Sequence, residues 1–112
     1  MGGFQMKLIL AIVNNDDSGT VSRALTKEGF SVTKQATTGG FLMAGNTTLL
    51  VGVDDVKVQQ VLDIVSAHSK KRTQIMPSNA SYGVGMYSSF PVEVTVGGAT
   101  VFVLDVERFE KV

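Results

Sequence analysis

Cysteine and tryptophan are absent from this chain, and histidine occurs once, as His68. Without cysteine there can be no disulfide, no thiolate nucleophile and no cysteine-bound zinc. One histidine cannot build a histidine-based metal cluster within one chain, so no metal site is expected. Proline is scarce, at two residues, so regular structure is interrupted mainly by the twelve glycines. Neither charge sign is in surplus. Ten basic and ten acidic residues cancel, which argues against a protein that grips a nucleic-acid backbone. Long apolar runs are also missing. The longest, Leu8 to Val13, falls far short of the roughly 20 residues of a membrane helix. No basic segment followed by a long apolar stretch opens the chain, so no signal peptide is expected. The lack of cysteine suits a reducing compartment, and a cytoplasmic location is expected.

The chain is one domain's worth, 112 residues of which 44% are hydrophobic. A core can form, and association with further copies would support so small a domain. Met1 to Gln5 differ in character from the apolar stretch that begins at Met6. Residues 1–5 are expected to be a cloning remnant or a disordered extension, and residues 6–112 a single domain.

Met6 to Val13 is apolar and rich in β-branched residues, which predicts a buried strand. Asp17 or Ser18 is placed to cap the next helix, whose apolar face carries Val21, Ala24 and Leu25. Gly29 is placed to end it. Phe30 to Thr38 reads as a strand running into a loop, and Thr47 to Val53 as the returning strand. Asp54 is placed to cap a second helix, in which Val58, Val61, Leu62 and Val65 follow helical spacing. Residues 69–90 are polar, serine- and glycine-rich, and predict a long loop. Val92, Val94 and Val96, then Gly97-Gly98, then Val101 and Val103 predict a terminal hairpin. The order is that of an α+β, ferredoxin-like βαββαβ sandwich with a terminal hairpin. Two helices cover one sheet face. Nothing remains to cover the other, so self-association is expected, most simply as a closed ring.

The segment most able to bind a ligand is Ala36 to Thr48. Gly39, Gly40 and Gly45 let a backbone approach a ligand closely, and successive N–H groups can converge on a phosphate. Phe41, Leu42 and Met43 put apolar side chains on an otherwise polar loop, where a flat ligand or a second subunit would cover them. Phe41 can stack on a base, and Asn46 has the donor–acceptor pair of an adenine edge. The plain alternative is a hairpin loop whose tip packs on the core, with Asn46 an ordinary turn residue. No lysine follows the glycines in the manner of a nucleoside-triphosphate loop. His68, Lys70-Lys71-Arg72, Asp16-Asp17 and Asp54-Asp55 are explained by helix ends, solvated charge and capping, and Ser88-Ser89 have no histidine or lysine partner in sequence context that would make a nucleophile. No acid–base pair or activated nucleophile is found, so catalysis is not expected.

Thr33-Lys34, Ala36-Thr37-Thr38-Gly39-Gly40-Phe41-Leu42 and Gly45-Asn46-Thr47-Thr48 together resemble the cyclic di-AMP receptor branch of the PII-like signalling proteins. Pro91-Val92-Glu93-Val94 and Val96 to Val103 resemble that family's closing strands, so the likeness runs from Met6 to about Phe109. It implies a homotrimer binding cyclic di-AMP in clefts between subunits. It implies a short T-loop at about 37–46, a long B-loop at about 69–90, and an unknown protein target that reads their rearrangement. No cofactor beyond the ligand is implied. The implied ligand contacts are Thr33, Gly39, Gly40, Phe41, Leu42, Asn46, Gly52 and Phe102. Asn46 and Gly52 would share one adenine pocket, and Phe102 would supply an apolar wall, from the adjacent subunit in one arrangement. The chain departs from the family pattern at Gly29 and Ser31, where asparagine and arginine are common, at Asp105 in place of proline, and in the tail Glu110-Lys111-Val112. Two other readings are an ATP- or ADP-sensing PII-like regulator, which would need cations from Lys34 or Lys70 to Arg72, and a nucleotide-acting enzyme.

Overall fold

A computed structural model describes residues 5–36, 45–77 and 91–112. The elements run β1 (Met6–Asn14), α1 (Asn15–Lys27), β2 (Val32–Ala36), β3 (Asn46–Asp54), a 3-10 turn (Asp55–Lys57), α2 (Val58–Ala67), β4 (Arg72–Pro77), β5 (Pro91–Val96) and β6 (Ala99–Asp105). A four-stranded sheet has the order β2-β3-β1-β6, and β4 pairs with β5 in a separate two-stranded ribbon. Every pairing is antiparallel. This is the antiparallel ferredoxin-like sheet expected, two interleaved βαβ units with the ribbon inserted between α2 and β6.

The period-2 pattern of β1 decides which face the helices cover. Ile9, Ala11 and Val13 are buried and pair across β3 with Val51, Leu49 and Thr47. Val21 and Leu25 of α1 and Val61 and Val65 of α2 close the same core. Each such side chain contributes about 1.5–3 kcal/mol on burial. The intervening residues Leu8, Leu10 and Ile12 point the other way, beside Gly52, Leu50 and Thr48 of β3 and Leu104, Phe102 and Thr100 of β6. That second face carries no helix. Phe102 is 43% exposed and Leu104 46%.

Several local expectations are corrected. The cap of α1 is Asn14, whose side chain accepts from the Asp16 N–H at 2.8 Å. Asp17 is instead buried within the first turn and takes a two-bond clasp from Arg72, at 2.9 and 3.2 Å. Asp54 makes no side-chain cap bond, because a 3-10 turn precedes α2. Gly29 does follow α1, at φ 91°. Residues 72–77, expected within a long loop, form β4. The terminal hairpin is not formed: Val96 pairs with Arg72, whereas Ala99 pairs with Val13. Gly97 and Gly98, both at positive φ, carry the chain from one sheet to the other. Strand alternation marks both segments as strands and is silent about their partners. Asp105 ends β6 in an ion pair with Lys7 of β1. Residues 1–4, 37–44 and 78–90, and with them the greater part of the expected T-loop and B-loop, lie outside the described residues.

Arg72 ties β4 to the first turn of α1, so its loss should cost fold stability as well as charge. Asp17→Ala is expected to lower unfolding free energy by about 1–3 kcal/mol, because a buried carboxylate loses its two-bond pairing with the half-buried Arg72 guanidinium. Urea denaturation reads this directly, and a change under about 0.5 kcal/mol would contradict the role assigned to the clasp.

Candidate functional site

Among the expected ligand contacts, Thr33, Asn46, Gly52 and Phe102 lie within the described residues, and Gly39, Gly40, Phe41 and Leu42 lie outside them. Strand register places all four described residues on the helix-free face. Thr33 pairs with Leu50, Leu50 with Leu10, and Leu10 with Phe102, so these form one row across the sheet. Three strand spacings of about 4.8 Å separate Thr33 from Phe102, or about 14 Å in one chain. Gly52 lies two residues from Leu50 on β3, a diagonal neighbour of Thr33 at about 7–8 Å. Asn46 lies six residues from Gly52 along the same strand, about 20 Å away. Within one chain, therefore, Asn46 and Gly52 lie too far apart to hold one adenine between them, and a pocket shared by both would need two chains.

Two separate hollows result. The first, of about 580 Å³, brings Thr33 and Gly52 together with Leu8, Leu50 and the C-terminal tail. That size suits a small-molecule site. A Cβ built on Gly52 meets no atom within 4 Å, so the missing side chain is open space. The tail reaches the hollow because the Val106 N–H donates to the Met6 carbonyl at 3.2 Å, past the end of β6. Val106, Phe109 and Lys111 then border it, beside Ser31. Arg108 and Glu110 pair with each other. Phe109 remains 61% exposed in the single chain. Lys111 is the only charged side chain among the described residues that border this hollow.

The second hollow, of about 380 Å³, lies at the opposite end of β1 and holds Asn46 with Asn14, Lys71, Thr95 and the Gly97-Gly98 corner. Its walls are mostly polar. Between the two hollows on the same face stands Thr48, buried, whose hydroxyl has no hydrogen-bond partner among the described residues. Such an unmet buried group is one that a ligand or water can satisfy. No cluster of three or more metal-ligating side chains occurs among the described residues.

A family model described as cyclic-di-AMP receptor matches residues 6–112. The chain belongs to the cyclic-di-AMP receptor family. A functionally unknown protein from Pediococcus pentosaceus ATCC 25745 is 37% identical, with a TM-score of 0.75 over 98% of this chain and 100% of that one. PII of Arabidopsis thaliana, solved bound to citrate, is 19% identical, with a TM-score of 0.59 over 93% of this chain and 77% of its own. The latter likeness is one of fold.

For this member of the cyclic-di-AMP receptor family, the tail was the part of the hollow that motif reading missed. The signal was present: Phe109 is an isolated aromatic in a charged tail, and in an extended segment Phe109 and Lys111 alternate with Arg108 and Glu110. The cavity also predicts a contrast between two glycines. Gly52→Val should change unfolding free energy by no more than about 1 kcal/mol, since it adds a β-branched residue into open space on a strand. Gly97→Ala should destabilise by more than about 1 kcal/mol, because φ is positive there and a Cβ would collide with the Lys70 carbonyl. Parallel thermal and urea melts compare them, and equal losses would contradict this description of the hollow.

Proposed function

We propose that the chain is a non-enzymatic receptor for cyclic di-AMP that works as a homotrimer. The observation that carries this reading is the convergence of Thr33, Gly52, Asn46 and Phe102 on the one sheet face that no helix covers. In a ring of three chains these apolar faces cover one another, and each cleft between two chains receives residues from both. The separation of Phe102 from Thr33 is then what a shared cleft requires, because the two are too far apart to meet over one base within a chain. One base fits the hollow at Thr33 and Gly52, with Leu50 and Phe109 as apolar walls. The T-loop segment would contribute the further contacts Gly39, Gly40, Phe41 and Leu42. Ligand binding then changes the T-loop and the B-loop, and a protein target reads the altered surface. The receptor acts in the cytoplasm and needs no cofactor.

An ATP- or ADP-sensing regulator is the second reading. It is favoured by Lys71 and Lys111, one cation at each hollow. An enzyme acting on a nucleotide finds less support, because Lys71 and Lys111 are the only ionisable side chains among the described residues bordering the two hollows. Neither is paired with a general base.

Calorimetric titration with cyclic di-AMP, cyclic di-GMP and ATP separates these readings. Cyclic di-AMP should bind with one ligand per chain, and Gly52→Val should weaken it at least tenfold, about 1.4 kcal/mol. Tight ATP binding with no response to cyclic di-AMP would sink the proposal. Chromatography of the recovered ligand should show it unchanged, and any product would establish the enzyme reading instead. Light scattering at micromolar concentration should report the mass of three chains, and a clean monomer would contradict the shared cleft.

A further inference from the structure

The run Lys70-Lys71-Arg72 reads in sequence as one solvated patch of positive charge. The fold gives its three members different surroundings. Arg72 is committed to Asp17. Lys70 borders a groove between the end of α2 and the start of β6, on the helix side. Lys71 also touches that groove, and it alone of the three borders the polar hollow of Asn46.

The placement of Lys71 is built into the corner that joins β5 to β6. Its aliphatic stem lies across Gly98. A methyl group placed on Gly98 would stand 3.0 Å from Lys71 Cγ and 3.3 Å from its Cε. The Gly98 N–H donates to the Ser69 carbonyl, which fixes the corner against the end of α2. A stem packed in this way loses less freedom when its ammonium group binds an anion. Lys71 makes no ion pair among the described residues, so its charge is free of a competing carboxylate. It is also the only charged side chain among the described residues that border this hollow. Asn14, Asn46, Thr95 and Thr100 supply neutral polar neighbours there. Asn14 is already engaged by the Asp16 N–H.

We infer that Lys71 is a phosphate contact of the ligand site: its ammonium group, held over the Gly97-Gly98 corner beside Asn46, takes an anionic phosphodiester or phosphate oxygen of a bound nucleotide. The inference rests on the proposed nucleotide-receptor reading, and because the two hollows of one chain lie about 20 Å apart, it sets the Asn46 hollow of one chain beside the base pocket at Thr33 and Gly52 of another in the shared cleft. A ligand phosphate held at this corner would bear on the joint between the ribbon and the main sheet.

The test is a titration of the wild-type chain and of Lys71→Gln, Lys71→Arg and Lys70→Gln with cyclic di-AMP and with ATP, each at low and high salt. Both lysines are exposed, so the fold should survive, and circular dichroism melts check it. Loss of one charge-assisted contact predicts roughly tenfold weaker binding for Lys71→Gln, with a shallower salt dependence. Lys71→Arg should bind as the wild type within about threefold, an energy difference near 0.6 kcal/mol. Lys70→Gln should be unaffected. Equal binding by Lys71→Gln and the wild type would overturn the inference while leaving the receptor reading intact. Equal weakening by Lys70→Gln and Lys71→Gln would also overturn it, since that marks a diffuse field and not a placed contact. Binding of ATP but not cyclic di-AMP, lost in Lys71→Gln, would support the phosphate contact and overturn the choice of ligand. No binding of either nucleotide by the wild type would overturn both.

Discussion

One sheet face is covered by helices and the other is not, and the rest of the molecule is arranged around that asymmetry. Both helices pack on Ile9, Ala11, Val13, Leu49 and Val51. The alternate residues of the same strands, among them Leu8, Leu10, Ile12, Leu50 and Phe102, are equally apolar and have no helix above them. A face of this kind is costly to leave in water. In the proposed trimer it supplies both the drive to associate and the surface that holds the ligand. The described contact candidates lie on this face because strand alternation allows nothing else. Once Ile9 is directed to the core, Leu10 and its row-mates Thr33 and Phe102 must face outward.

A second constraint governs the ribbon of β4 and β5. It is joined to the main body at its root by the Arg72–Asp17 clasp and by the Gly97-Gly98 corner. Gly97 is crossed by the Lys70 carbonyl, and Gly98 by the Lys71 stem. The root therefore belongs at once to the core, through Asp17, and to the Asn46 hollow, through Lys71. This is where a binding event on the sheet face could be passed to the ribbon, since no other described ion pair or main-chain bond joins the two.

Much of this was legible in the sequence, and the limits have physical causes. The strands at β1 and β3, both helices and the Gly29 stop follow from local periodicity and backbone freedom, which act over a few residues. The uncovered face followed from counting elements. The caps failed where tertiary contacts overrode local preference: Asp17 is a good cap residue, but Arg72, far along the chain, claims its carboxylate. The ribbon failed for a similar reason. Residues 72–77 carry little apolar alternation, and Gly97-Gly98 looks like a hairpin turn, yet pairing partners are set by long-range register. At the site, motif reading named residues but could not measure the distance between them, so it did not reveal that Asn46 and Gly52 of one chain are too far apart to hold one base. The tail at Phe109 and Lys111 carries a weak motif signal and enters only through geometry.

If the helix-free face is both the subunit interface and the ligand site, a crystal structure grown with cyclic di-AMP tests it most directly. The expected result is three chains with their helix-free faces turned inward, and a ligand in each cleft touching Thr33 and Gly52 of one chain and Phe102 of the next. Ligand bound on the helix side, or within a single isolated chain, would contradict it.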